Sequence, residues 1–88
     1  MNIHKNTKTR LVGAEVLKRE RKYKSVSQSE LARRLGVSQP LVSSWESGRI
    51  KLGIEDAVAI ELALELEPGW VLFSIAYPAA DRNQEPTP

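Results

Sequence analysis

The side chains of this sequence best suited to chemistry are short, neutral and polar. From Ser38 the chain reads Ser-Gln-Pro-Leu-Val-Ser-Ser-Trp-Glu-Ser, and helical spacing puts Val42 and Trp45, three apart, on an inward side, with Gln39, Pro40, Ser43, Ser44 and Ser47 on the others. A carboxamide and hydroxyls offer both hydrogen-bond donors and acceptors. Such a face is a poor membrane surface and a poor apolar interface, but it fits a groove lined with base edges.

Reaction chemistry has much less to work with. The single histidine, His4, stands far from any capped segment, so a Ser/His/Asp arrangement or a histidine metal site would have to be built from a flexible segment. The absence of cysteine removes disulfides and thiolate ligands. No phosphate-cradling glycine-rich loop is present. Glu61 and Glu65 are one helical turn apart, but without a supporting His or Asp they read as surface carboxylates. The sequence predicts no enzyme, no catalytic residue, no metal site and no cofactor.

The polar face needs elements to hold it. Ser27 opens a helix with a capping box, its hydroxyl accepting from the Glu30 N–H while the Glu30 carboxylate reaches back. Leu31, Ala32 and Leu35 form the buried side, Ala32 being small enough for a second helix to approach, and Gly36 supplies the positive φ of a tight turn. Val37 pins that turn, Ser38 caps the next helix, Pro40 occupies its first turn and Gly48 stops it. Two short helices and a turn over 27–48 are therefore expected.

The flanks are less sharply marked. Residues 1–8 read as a flexible basic arm, followed by a helix from about Thr9 to Lys24 with Val12, Val16 and Leu17 inward and Gly13 costing about 1 kcal/mol. After the basic loop Arg49 to Gly53, a helix from Ile54 to Leu66 shows Val58, Leu62 and Leu66 at i, i+4 and i+8. Glu55 and Asp56 stand in its first turn, where the helix dipole favours anions. Glu67-Pro68-Gly69 breaks it, the apolar run Trp70 to Tyr77 is long enough for two helical turns or one strand, and 79–88 reads as a disordered tail.

Charge divides the chain. Residues 1–51 hold 12 of the 13 Lys and Arg against four acids, and residues 52–88 hold one Arg against seven acids. Such polarity suits a polyanion on one side of the fold, although solvated charge on both faces is an equal alternative. Eighty-eight residues make one small domain, close to the size at which a single core is marginal. Without a secretory h-region or an apolar run of about 20 residues, a soluble protein of the bacterial cytoplasm or nucleoid, with no membrane partner, is expected.

The spacing Gln28-x-x-Leu31-Ala32-x-x-Leu35-Gly36-Val37-Ser38-Gln39-x-x-Val42-x-x-Trp45-Glu46-x-Gly48 resembles the helix-turn-helix of phage repressors and Cro proteins, the Cro/C1-type or XRE family. The likeness extends upstream through Leu17-Lys18-x-x-Arg21 and downstream through Ala57-x-x-Ile60-x-Leu62-Ala63-Leu64-x-Leu66-x-Pro68, covering about residues 10–76. It implies an all-α, five-helix lambda-repressor-like domain over 9–78 that binds double-stranded operator DNA.

Residue by residue, the resemblance implies that Gln39, Pro40 and Ser44, with Ser43 nearby, reach base edges. Gln28, Ser38, Arg49 and Lys51 would meet phosphates, and Arg21 with Glu46 would form a structural ion pair; outside the motif, the basic arm with Lys5, Lys8 and Arg10 would lie along phosphates or enter the minor groove, or simply be solvated. Pro40 departs from the pattern by offering only apolar contact, which leaves Gln39 a large share of direct readout. Glu20 and Glu61 stand where related chains often carry apolar residues. Family members commonly bind as two-fold dimers; Trp70, Val71, Phe73, Ile75 and Tyr77, with Leu72, are the expected dimer surface over 68–78, with a fifth core helix in a monomer as the alternative.

The expected function is a sequence-specific transcriptional regulator, a dimeric phage-type repressor. An autoregulating antitoxin holding a basic toxin and a protein-interaction adaptor are the alternatives, so a toxin or anti-repressor is a further expected partner.

Overall fold

A computed structural model describes residues 2–76 of the chain, with side chains from Val12 onward. Five helices follow one another: α1 (Asn2–Tyr23), α2 (Gln28–Leu35), α3 (Gln39–Glu46), α4 (Ile54–Ala63) and α5 (Trp70–Ala76). The described residues contain no strand, which resolves the apolar run after Gly69 as a helix. α1 packs on α3 and α5, α2 on α3 and α4, and α4 on α5. Val12, Val16, Leu17, Leu31, Val42, Trp45, Leu52, Ile60, Leu64 and Val71 meet in one core between them.

One device ends each of the first four helices. Ser25, Gly36, Gly48 and Glu65 adopt left-handed φ of 59°, 72°, 80° and 57°. In each case the next residue's N–H donates five positions back: Val26 to the Arg21 carbonyl, Val37 to Ala32, Arg49 to Ser44 and Leu66 to Glu61. These are Schellman turns. Val26, Val37 and Leu66 anchor their turns against the core, whereas Arg49 after α3 is exposed. Two of the four left-handed positions are thus filled by non-glycine residues.

Several sequence-based expectations are corrected. α1 begins at Asn2 and not near Thr9, so the segment read as an irregular arm is helical. Nothing between Asn2 and Val12 breaks a helix, and extending one already anchored at Val12 and Val16 needs no new nucleus. Gly13 lies inside it, where an added Cβ would stand 3.4 Å from Ile75 Cγ1 and 3.6 Å from Leu52 Cδ1; the missing side chain lets α5 approach.

The second correction concerns α4, which turns Ala57, Ile60 and Glu61 inward, followed by Leu64 at its C-cap, and leaves Val58 and Leu62 exposed. An almost wholly apolar helix carries more than one stripe of helical period, so period alone does not choose between them.

The third is Glu61, which is buried rather than on the surface. Its carboxylate accepts from the N–H groups of Gly69 (2.8 Å), Val71 (2.8 Å) and Leu72 (2.9 Å), closing the N-terminus of α5. Pro68 and Gly69 bring no capping oxygen of their own, so the carboxylate supplied by α4 satisfies donors that burial would otherwise orphan. Glu20 holds the same helix from α1, accepting from Trp70 Nε1 at 3.1 Å. Glu20 and Glu61 together fasten the N-terminal end of α5.

Val71 is fully buried in this arrangement and cannot belong to the expected dimer surface. Leu72 and Ile75 are half-buried against the core, while Trp70 and Phe73 stand about half exposed. Tyr77 and the 79–88 tail lie outside the described residues.

Candidate nucleic-acid interface

The local sequence of α2 and α3 explains their geometry. Ser27, extended at φ −76° and ψ 164°, accepts the Glu30 N–H at 2.9 Å through its hydroxyl. The reciprocal half of the expected capping box is replaced by an ion cluster. The Glu30 carboxylate accepts from Arg33 Nη2 at 2.7 Å and Arg34 Nε at 2.9 Å. Hydrogen bonds from those two guanidinium groups lower the Glu30 carboxyl to about 2. Arg34 Nη1 also donates to the Ala63 carbonyl at 2.9 Å, so this cation ties α2 to the end of α4.

Ser38 repeats the cap for α3, accepting from the Leu41 N–H at 3.3 Å, with Pro40 in the first turn. Val42 and Trp45 are buried, whereas Gln39 and Pro40 are exposed and Ser43 and Ser44 half-buried. Behind this face runs a chain of side-chain hydrogen bonds. Arg21 donates from Nη1 to the Val26 carbonyl (2.8 Å), from Nε to Glu46 Oε2 (2.6 Å) and from Nη2 to Glu46 Oε1 (2.9 Å). Gln28 Nε2 donates to Glu46 Oε1 (3.0 Å), and Gln39 Nε2 donates to Gln28 Oε1 (2.7 Å).

Glu46 sets the direction of this relay. Burial alone would raise its carboxyl, but the hydrogen bonds from Arg21 and Gln28 and the Arg21 charge more than offset that and leave it below the usual range. The Glu46 hydrogen bond correspondingly raises Arg21 against the opposing effect of burial. An ionised carboxylate only accepts, so Gln28 must turn its NH₂ toward Glu46 and its oxygen toward Gln39. Gln39 must then present its own NH₂ to Gln28. Its carbonyl oxygen and second N–H stay available on the exposed face of α3.

The expected residues thus divide clearly. Arg21, Glu46, Gln28 and Gln39 come together in one network, which leaves Gln28 as much a brace for Gln39 as a candidate phosphate contact. The bracing role was missed from sequence, although a glutamine opening each of the two helices was its visible sign. Arg49 and Lys51 are exposed just beyond α3, and the Arg49 and Ile50 N–H groups donate to the Ser44 carbonyl (2.9 and 3.2 Å), which folds this basic loop back onto the helix. Lys8 and Arg10 lie on the first half of α1, and their side chains are outside the described part. Among the described residues no group of three His, Cys, Asp or Glu side chains could hold a metal, and no helix is long and apolar enough to cross a membrane.

Comparison with known proteins bears on this geometry. A family model described as Helix-turn-helix matches residues 17–71. The chain is 30% identical over 82 residues to the HTH-type transcriptional regulator DicA of Escherichia coli (strain K12), covering 93% of this chain and 56% of that protein. It is 38% identical over 63 residues to an uncharacterized HTH-type transcriptional regulator of Archaeoglobus fulgidus, covering 68% of this chain and 28% of that protein. It therefore spans about half, or less, of the length of these curated relatives. No solved structure matches significantly.

Proposed function

Because the chain belongs to the Cro/C1-type (XRE) helix-turn-helix family of DNA-binding transcriptional regulators, we propose that it is a sequence-specific repressor that seats α3 in the major groove of an operator. The observation that carries this assignment is the orientation of Gln39. With one N–H held by Gln28, the remaining N–H and the carbonyl oxygen match adenine N7 and N6–H₂. Pro40 offers a thymine methyl an apolar contact, while Ser43 and Ser44 are short enough to reach bases through water. Arg49, Lys51, Ser38 and Gln28, with Lys8 and Arg10 on α1, would position the duplex through phosphates.

Repression follows from occlusion of a promoter by a dimer on two half-sites about 34 Å apart. Trp70 and Phe73, half exposed on an uncharged helix, are the surface proposed for that dimer. Selection from random duplexes followed by Gln39→Ala is the direct test. The variant should lose about 1–3 kcal/mol of specific binding with nonspecific binding nearly unchanged. An unaltered specificity ratio removes Gln39 from its role, and the absence of any duplex affinity would favour a protein-interaction adaptor. Sedimentation of Trp70→Ala tests the dimer, whose mass should fall.

A further inference from the structure

The outward face of α4 is an apolar feature that the proposed DNA binding leaves unused. Ile54, Val58 and Leu62 stand at i, i+4 and i+8 and are 65%, 41% and 75% exposed. A single exposed aliphatic residue is ordinary, but three in line along one helix are not. At its N-terminal end the stripe opens into an apolar cleft of about 450 Å³ between α4 and α5, lined by Leu52, Ile54, Leu72 and Ile75 with Lys51 at its edge.

The helix that bears this stripe is anionic; of the cations near its ends, Arg34 is paired with Glu30 while it donates to the Ala63 carbonyl, and Lys51 lies at the cleft. Between Leu52 and Ala76 the chain holds five acids and no Lys or Arg. Glu61 is used inside the fold, and Asp56 accepts the Gly53 N–H at 3.1 Å. Glu55 in the first turn and Glu65 just past the last remain exposed, followed by Glu67. α5, in contrast, carries no charged residue. Two copies can meet along α5 without like charges opposed, whereas a pairing along α4 would set Glu55 and Glu65 against their counterparts.

We infer that the outer face of α4, Ile54, Val58 and Leu62 between Glu55 and Glu65, docks an amphipathic helix of another protein whose aliphatic side chains are flanked by Lys or Arg. Aliphatic anchors at helical spacing supply the contact, and the acids select the partner by its charge. α4 packs chiefly on α2 and α5 while α3 packs on α1 and α2, so the seat and the Gln39 face belong to different parts of the molecule. The inference does not depend on DNA recognition.

Two synthetic helices test it, one with a leucine face flanked by Lys and one with the same face flanked by Glu, each titrated into the full chain by calorimetry. Binding is expected for the Lys peptide, with the Glu peptide weaker by about tenfold or more. Val58→Gln with Leu62→Gln, both at exposed positions, should weaken the Lys peptide by about tenfold or more while duplex affinity and sedimentation mass stay unchanged. Failure of the Lys peptide to bind, equal binding of both peptides, or undiminished binding by the double variant would overturn the inference. A fall in mass of that variant would assign the stripe to self-association and overturn it as well.

Discussion

Glu46 shows how much one side chain can organise. With its partner Arg21 it is nearly sealed from solvent, and the two meet through paired short hydrogen bonds. Removing one member of such a pair leaves the other charge buried, so Glu46→Ala should cost about 3–5 kcal/mol in chemical denaturation. The pH dependence follows from the direction of the Glu46 shift. A carboxyl held below its unfolded value stabilises the fold above the ordinary carboxylate range, and that contribution disappears as pH falls through the lowered value. The stability gap between the wild type and Glu46→Gln should therefore be full at neutral pH and narrow below about pH 4. A gap independent of pH down to strong acid would assign the loss to packing.

At the scale of elements, helix ends decide more than helix interiors. Ser25 and Glu65 occupy left-handed positions that glycine fills at Gly36 and Gly48. Ser25→Gly should stabilise the domain by about 1 kcal/mol, raising the melting temperature by about 4–8 °C. α5 depends instead on a distant carboxylate. Glu61→Ala should cost about 1–3 kcal/mol and remove hydrogen-exchange protection from the Gly69, Val71 and Leu72 amides before that of α1 to α3 is affected. The same contrast explains what was legible beforehand. The caps at Ser27 and Ser38 and the turn at Gly36 rest on contacts within a few residues, so residue type and spacing reveal them. The buried side of α4 was not legible, because its apolar residues offer several faces and the choice is made by the packing of α2 and α5 against it. The capping role of Glu61 joins residues eight to eleven positions apart across a break, and only the fold brings them together.

For the molecule as a whole, the chain is basic over residues 1–51 and acidic over residues 52–88. If Arg49 and Lys51 each neutralise one phosphate, the slope of log binding constant against log salt should become shallower by about 2 in Arg49→Ala with Lys51→Ala. An unchanged slope would remove both from the duplex. The hydrogen-bonded relay joins α1, α2 and α3, from the Val26 carbonyl just past α1 to the outer face of α3. It bears on how such a protein can change over generations. Since Glu46 turns the Gln28 oxygen toward position 39, only a side chain that donates there, such as Gln, Asn, Arg, Lys, Ser or Thr, keeps the link, and one that cannot donate leaves that oxygen to water. A carboxylate there would face an oxygen with no freedom to turn away. On the proposed mode of binding, the lineage can drift between operators read through adenine or guanine, whereas cytosine read by an acidic side chain stays out of reach until position 28 or 46 changes too.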